Sequence, residues 1–547
     1  MKITVGQFNV KSKDLEYNFQ KIKGLVTKAV DSNFDLIVFG EYSLSGYGCG
    51  DLFKSKDFIN EIVDYQKKIK ALAKDIAIIY GGVKVKNDKL YNAAIFSNKE
   101  EEIFSSKENL NKEEFNEKRY FQSGKNKTVK IKEKEFLITF KDDYIEKKIY
   151  SKILKIVLDS SNVNDYMEVE EDIVYANTVG VSAVSKVVYI NGGNSYINDD
   201  SGLYSLKKPL ESGLLLAKNP VNKISKLEAI VKGVKVYSDE TFGENKKWIV
   251  GSSGGLDSAV TVALLTIALG SENVITYNMA SKYNKEMTIN NAKSIAKKLK
   301  VKHVEESIQP LINATYNNLE KFGYDSISTF DQENIQARSR GYLLSAFSAL
   351  ENAVICNNGN KLEIALGYAT LYGDTIGALA LIGNLSKKEV FELAKEINDY
   401  FQDEIIPQNL LPKVKDYRIE WVMPPSAELK EDQLDPMKWF YHDLLLEMIL
   451  SKSKEEILSL YLKDQFQDLE IGKWLDYYSL KKGENFLNDF NWFYKMLEIA
   501  HFKRLQSPPV LAYGKNILEK DVIFSNMPKA KSKRVEDLEK VIVEKYE

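Results

Sequence analysis

A chain that runs Trp248-Ile249-Val250, turns through Gly251-Ser252-Ser253-Gly254-Gly255-Leu256-Asp257-Ser258 and stays almost wholly apolar over 259–269 has few ways to fold. The first run reads as a buried strand, the glycines and serines as a tight turn, and the last run as a buried helix. In that order the turn brings backbone N–H groups and small hydroxyls to a helix start, where the dipole adds to their pull on an anion. The spacing SGGxDS excludes the Walker loop, which needs Gly-Lys-Ser/Thr after four intervening residues. A turn without a ligand is the bland alternative, and the flanking strand and helix argue against it.

The stretch resembles the loop of the ATP pyrophosphatase (PP-loop) enzymes, which cleave ATP between the α and β phosphates. That resemblance implies that Gly251, Ser252, Ser253, Gly254, Gly255, Leu256, Asp257 and Ser258 bind ATP. Downstream, residues 273–277 read as a strand, 288–299 as an amphipathic helix (Ala292, Ile295, Ala296, Leu299) and 301–304 as another strand. Alternation at this spacing predicts a doubly wound parallel sheet with the loop at its carboxyl edge, where ligands bind.

A length of 547 residues predicts two domains rather than one core. With 76 Lys and Arg against 78 Asp and Glu, the chain has no basic excess to mark a nucleic-acid partner. Residues 1–8 alternate like a strand and lack an apolar signal core, and 259–269 is too short to span a bilayer. A cytoplasmic protein without membrane contact is the expectation. The two cysteines, Cys49 and Cys356, suggest no disulfide framework, and the three histidines form no zinc-spaced cluster. Domains are expected at 1–208 and 224–547. The linker falls at 209–223, where both prolines of the region lie, and a helix over 224–237 opens the second domain.

In the first half, strand-like runs recur at 2–8, 36–39, 76–80, 93–96, 136–140, 153–158 and 173–176, with helix patterns at 18–30 and 57–72. The mixture predicts an α/β sandwich. Phe39-Gly40-Glu41-Tyr42-Ser43-Leu44-Ser45-Gly46-Tyr47, Leu90-Tyr91-Asn92-Ala93-Ala94 with Lys107, the run from Phe115 to Phe121, and Tyr175-Ala176-Asn177-Thr178-Val179-Gly180 resemble the nitrilase (carbon–nitrogen hydrolase) fold, in the form fused to glutamine-dependent NAD⁺ synthetases. That family uses a cysteine nucleophile, a glutamate proton shuttle (Glu41 here) and an oxyanion lysine (Lys107 here).

The family's Ile-Cys-Glu-Asp-x-Trp aligns with Thr139-Phe140-Lys141-Asp142-Asp143-Tyr144, which places Phe140 at the nucleophile position. No cysteine lies between Cys49 and Cys356, so no shift of register restores it. Cys49 sits in a glycine-rich loop with no histidine nearby to activate it. Leu110-Asn111-Lys112-Glu113 stands where the family has a tyrosine that holds glutamine, and its Ser-Pro pair falls near Asn162-Val163. The first half is expected to be a degenerate glutaminase, kept as scaffold or oligomer contact, with Glu41 and Lys107 as a satisfied ion pair.

The second half carries Met279-Ala280-Ser281-Lys282-Tyr283-Asn284, Glu333-Asn334-Ile335-Gln336-Ala337-Arg338-Ser339-Arg340-Gly341, Asn358-Gly359-Asn360-Lys361-Leu362-Glu363, Gly367-Tyr368-Ala369-Thr370-Leu371-Tyr372-Gly373-Asp374 and Lys503-Arg504-Leu505-Gln506-Ser507-Pro508. In family order with the phosphate loop, these resemble the NAD⁺ synthetases. The resemblance implies that the carboxylate of nicotinic acid adenine dinucleotide (deamido-NAD) attacks ATP, pyrophosphate leaves, and ammonia then displaces AMP. It assigns Asp257, Lys387 and Lys503 to catalysis. Asn358 and Lys387 join the loop in binding ATP, and Asn334, Arg338, Glu363, Asp374 and Lys503 bind deamido-NAD. Asp257 and Glu363 are the implied ligands of Mg²⁺.

Asn358 replaces the family's Thr and Asn384 its Asp, both keeping hydrogen-bonding ability. A homo-oligomer is also implied, a dimer of synthetase domains or an octamer. The ammonia source stays open between solution and a separate glutaminase protein. Another PP-loop amidotransferase, an active amidase or a silent regulatory protein are the competing readings. Asn334 and Tyr372-Gly373-Asp374 weigh against the first, Phe140 against the second, and Asp257, Glu363 and Lys503 against the third.

Overall fold

The alternating amino terminus does form a strand, Ile3–Gln7, and it lies inside a sheet rather than at its edge. In the computed structural model, which describes residues 1–111, 115–147, 153–426, 429–430, 435–514, 518 and 531–546, the chain divides into units 1–237 and 238–547. The first unit holds two sheets. One runs, in spatial order, Gly213–Leu214, Ile3–Gln7, Leu36–Val38, Ala77–Lys86, Lys89–Ser97 and Glu102–Ser106. The other runs Gly202–Ser205, Tyr196–Asp199, Ile173–Ala176, Leu154–Leu158, Lys134–Phe140 and Lys127–Ile131.

Val5, Leu36, Val38 and Ile79 of the first sheet share one buried apolar cluster with Phe136, Ile138, Phe140, Ile156 and Leu158 of the second. Helices Leu15–Asp31 and Lys56–Leu72 cover the outer face of the first sheet, placing Phe19, Ile22, Ile62 and Ile69 in a second cluster with Ile37 and Ile78. This is the α/β sandwich expected. Lys134–Phe140, Leu154–Leu158 and Ile173–Ala176 are parallel, so their carboxyl ends open on one edge.

The stretch expected as a linker, 209–223, is corrected in part. Gly213–Leu214 pairs antiparallel with Ile3–Gln7, and the buried Gln7 side chain donates to the carbonyls of Pro209 and Glu211, both at 2.7 Å. A two-residue strand has no periodicity to read, and its cause lies about two hundred residues upstream. The helix Lys226–Phe242 then runs through the division between the units.

In the second unit the strands Val510–Ala512, Leu379–Ala380, Val354–Asn357, Trp248–Gly251, Val274–Ala280 and Lys302–Ser307 lie side by side, all parallel. Chain order reverses at Trp248–Gly251: the next two strands add on one side, and Val354–Asn357 returns to the other. That is the topological switch point of a doubly wound sheet, and the phosphate loop leaves its carboxyl end. The helix Leu256–Leu269 is buried nearly all round over its first ten residues and packs against Lys387–Phe401. Among the described residues, no helix is long and apolar enough to cross a membrane.

Replacing Gln7 by Ala strips buried partners from Pro209, Glu211 and the Ser195 N–H, which donates to Gln7 Oε1 at 3.1 Å. The first unit should lose about 1–3 kcal/mol in denaturant unfolding. Limited proteolysis should cut faster within 209–216; an unchanged cleavage rate would contradict this anchoring.

Candidate active site

The phosphate loop is held by geometry that only glycine allows. Gly254 has φ +79°, and a Cβ there would lie 1.8 Å from the Thr288 carbonyl oxygen. Gly255 caps Leu256–Leu269 without any side-chain hydrogen bond to the first N–H groups, so these stay free for a ligand. The Ser253 and Ser258 hydroxyls lie 3.2 Å apart beside them.

Two helix starts meet over this loop. Asp257 stands in the first turn of Leu256–Leu269 and Lys387 opens Lys387–Phe401; Lys387 Nζ donates to Asp257 Oδ2 at 2.6 Å. The lysine side chain is only 3% exposed and lies over the Trp439 ring at 4.7 Å, so it is no surface lysine. Burial lowers its pKa, but Asp257 and Glu363 outweigh that and hold it charged, above its ordinary value.

Glu363 sits in the short helix Lys361–Leu366, whose Asn360 forms a reciprocal capping box with it. Asn360 also donates to Asp257 Oδ2 at 3.3 Å. Burial, then the Asp257 charge, pushes Glu363 up to about 8 against the pull of Lys387. Asp435, unmarked in the sequence reading, is pushed by burial to about 6, with Lys387 opposing and Asp257 adding to the rise. Asp257 Oδ1 is buried without a hydrogen-bond partner. Among the described residues, no group of three or more His, Cys, Asp or Glu is arranged to hold a metal ion.

A cavity of about 760 Å³ opens at this edge, lined by the loop, Asn358, Glu363, Lys387, Asn334, Asp374 and Lys503. The motif glycines explain one wall. A Cβ on Gly341 would lie 2.6 Å from the Tyr372 carbonyl oxygen, and one on Gly373 would lie 2.9 Å from the Ala337 backbone. The helix Thr329–Leu350 can therefore press against the segment 367–374.

Three residues assigned to deamido-NAD hold that segment. Asn334 accepts from Thr370 Oγ1 at 3.0 Å, and Arg338 donates to the Leu371 carbonyl at 3.2 Å. Lys503 donates to the Gly367 and Ala369 carbonyls at 2.8 and 2.7 Å. Arg338 is exposed and does not line the cavity, whereas Arg340 does, donating to the Met279 carbonyl at 3.0 Å. Burial lowers the Lys503 pKa, with Asp374 opposing. Burial raises Asp374, whose carboxylate accepts from the Thr370 N–H at 2.5 Å. Asn384 accepts from the Tyr513 N–H at 2.7 Å.

The first unit has its own charged cluster. Glu41 Oε1 accepts from Asn92 at 2.6 Å and from Lys107 at 3.1 Å, and Oε2 accepts from Ser160 Oγ at 2.9 Å. Lys107 also pairs with Glu117 at 3.1 Å and Asp142 at 2.7 Å. Burial lowers the Lys107 pKa, yet Glu117, Glu41 and Asp142 hold it well above its ordinary range. Phe140 is fully buried among the residues between the two sheets. Cys49 is buried, its thiol donating to the Ser45 carbonyl, and burial pushes it up to about 12. Lys112 and Glu113 lie outside the described residues.

Comparison with known proteins separates the same two parts. Residues 226–476 match the family model described as NAD synthase, and residues 2–140 match carbon–nitrogen hydrolase. A glutamine-dependent NAD(+) synthetase of Acinetobacter baylyi is 27% identical over 510 residues, covering 87% of this chain and 90% of that protein. One from Synechocystis is 35% identical over 277 residues, 48% of this chain and 47% of that protein. Among solved structures, the glutamine-dependent NAD(+) synthetase of Cytophaga hutchinsonii is similar with a TM-score of 0.74 at 18% identity, covering 98% of this chain and 99% of that one. That of Acinetobacter baumannii, in complex with ADP, gives 0.66 at 22%, covering 94% and 95%. Likeness at these identities fixes the fold.

Burial, opposed by Lys107, and then the neighbouring Glu117, Asp142 and Asp159 carboxylates raise Glu41 from its ordinary 4.5 to about 7. Folding thus favours its protonated form, so this contribution to stability is fully present below about pH 4.5 and is lost as pH rises through about 7. Glu41→Gln should raise the melting temperature of the first unit more at pH 8 than at pH 4. Equal shifts at both pH values would contradict the raised carboxyl.

Proposed function

We propose that this chain, a two-domain ligase that carries a carbon–nitrogen hydrolase domain ahead of an NAD synthase domain, makes NAD⁺ by ATP-dependent amidation of deamido-NAD through an acyl-adenylate. The observation that carries the reading is the Lys387–Asp257 contact at 2.6 Å, set between two helix starts over a glycine-rich loop at the switch point. A nicotinate carboxylate oxygen attacks the α-phosphorus, and the bond to the β-phosphate oxygen breaks, releasing pyrophosphate. Ammonia then adds to the acyl carbon and gives up one proton to solvent, and AMP leaves with the electron pair of the broken C–O bond. The N–H groups of the first turn of Leu256–Leu269 and the hydroxyls of Ser253 and Ser258 receive the developing phosphate charge. Lys387 offsets charge on the phosphates bound beside Asp257. Lys503, on the same side as Asp374, orients the deamido-NAD.

Asp257 and Glu363 suit Mg²⁺, since Asp257 Oδ1 lacks a protein partner and two carboxylates crowd one lysine. When bound, the ion neutralises phosphate charge. Asn334 and Asp374 serve the dinucleotide on the wall formed by 367–374, and Arg338 serves it through Leu371, whose carbonyl it holds.

The ammonia is not made by a cysteine of this chain. The position aligned with the nucleophile is Phe140, the matched hydrolase stretch ends there, and the Lys107 ammonium is already paired with Glu41, Glu117 and Asp142. The first unit serves as scaffold, and ammonia comes from solution or from a separate glutaminase. Two copies pair through the exposed apolar surface of the second unit, where Phe322, Phe330, Tyr342 and Leu350 are 66–83% exposed.

With ATP, Mg²⁺ and deamido-NAD, the purified chain should form NAD⁺ from ammonium and not from glutamine. Comparable glutamine-driven synthesis would refute the lost glutaminase, and no NAD⁺ from ammonium would refute the synthetase reading. Asp257→Asn should cut pyrophosphate release by about 10²–10³-fold; normal turnover would remove Asp257 from its role. In sedimentation, Tyr342→Glu with Leu350→Glu should yield monomers, whereas an intact dimer would place the contact elsewhere.

A further inference from the structure

Two amide side chains flank the entry to the phosphate loop. Asn278, in the strand Val274–Ala280, donates to the Ser252 carbonyl at 2.8 Å, and Asn358 donates to the Gly251 carbonyl at 2.8 Å. These bonds fix how each amide is turned, because flipping either would set its oxygen against a carbonyl oxygen. Both remaining Oδ1 atoms are buried without a hydrogen-bond partner, and both residues line the cavity. Asn278 is only 4% exposed. A fixed, buried acceptor without a donor is costly to keep, and its place on the cavity wall points to a donor on the ligand.

The loop has a direction that narrows the choice. Its far end, with the helix start, Asp257 and Lys387, takes the phosphates in the reading above. A nucleotide lying along it brings its nucleoside to the Gly251–Ser252 end. The wall there is apolar. A Cβ on Gly251 would lie 3.3 Å from Leu344 and 4.0 Å from Met279, and these two share one apolar cluster with Tyr277. A flat base can lie against that wall, with its polar edge turned to the amides. Adenine carries an exocyclic amine on that edge, a donor. Guanine carries a carbonyl at the same position, which would set acceptor against acceptor.

We propose that Asn278 reads the 6-amino group of the adenine of ATP and is a base-specificity residue of this enzyme, with Asn358 presenting a second acceptor to the same nucleoside. The proposal rests on the reading of the loop as an ATP site. Specificity would then arise from a side chain on the strand beside the loop, outside the phosphate-binding motif.

The test is calorimetric titration of the full chain with ATP, with purine riboside 5′-triphosphate (hydrogen in place of the amine) and with GTP, in the native protein and in Asn278→Val. The native chain should prefer ATP over purine riboside triphosphate by on the order of 10- to 100-fold and bind GTP least. In Asn278→Val the preference over purine riboside triphosphate should vanish. Any general loosening of the loop affects both ligands alike and leaves their ratio unchanged. Equal affinities in the native chain overturn the proposal even if the variant does not fold, and so does a ratio that survives in a folded variant. Absence of binding by all three triphosphates would instead overturn the ATP reading, and the proposal with it.

Discussion

The ammonium of Lys387, 2.6 Å from Asp257, is placed against its own local preference. A lysine at the first position of a helix faces the positive end of the dipole, where a carboxylate such as Asp257 is at home. Glu363 and Asp435 complete the compensation, so one buried cation is held by carboxylates from three separate stretches of chain. Charges taken out of water are costly unless paired and hydrogen-bonded. The second unit meets that condition only because the doubly wound sheet brings two helix starts and the helix Lys361–Leu366 to one edge.

The two charged clusters differ in what they leave unfinished. Around Lys107, both Glu41 oxygens have protein partners and the lysine has three carboxylates, while the Oδ1 of Asn92, whose amide donates to Glu41, is buried without a partner. Around Lys387, Asp257 Oδ1, Asn278 Oδ1 and Asn358 Oδ1 are buried without partners. A network whose charged groups are all paired gives up little by staying closed. A network with orphan acceptors is complete only with donors or cations from outside, which is the physical mark of a site built for ligands.

Much of this was legible in the sequence where local rules suffice. The strand, turn and helix around Gly254 and the parallel alternation after it follow from apolar runs and glycine placement. Lys387 is harder to read, because its burial is decided by Asp257, 130 residues away. Asp435 lies in a loop without periodicity. Asn360 carried a usable signal, since Asn followed three residues later by Glu is a capping box. The strand Gly213–Leu214 was invisible because Gln7 and the Ile3–Gln7 edge create it. The strand Ala77–Lys86 reaches beyond the apolar run 76–80 into a hairpin, with Asn87 and Asp88 both at positive φ in its turn.

Phe140 bears on which substitutions this core can accept. Its ring is part of the packing between two sheets, at the register partner of Leu158. Replacing Phe140 by cysteine would supply a thiol but leave a void in that core. Such a variant is less stable than the present chain unless a neighbour such as Leu158 or Ile138 is enlarged to fill the space. Packing thus works as a ratchet. With an aromatic ring in the core at this position, a thiol can be placed there without loss of packing only after a compensating change in a neighbour.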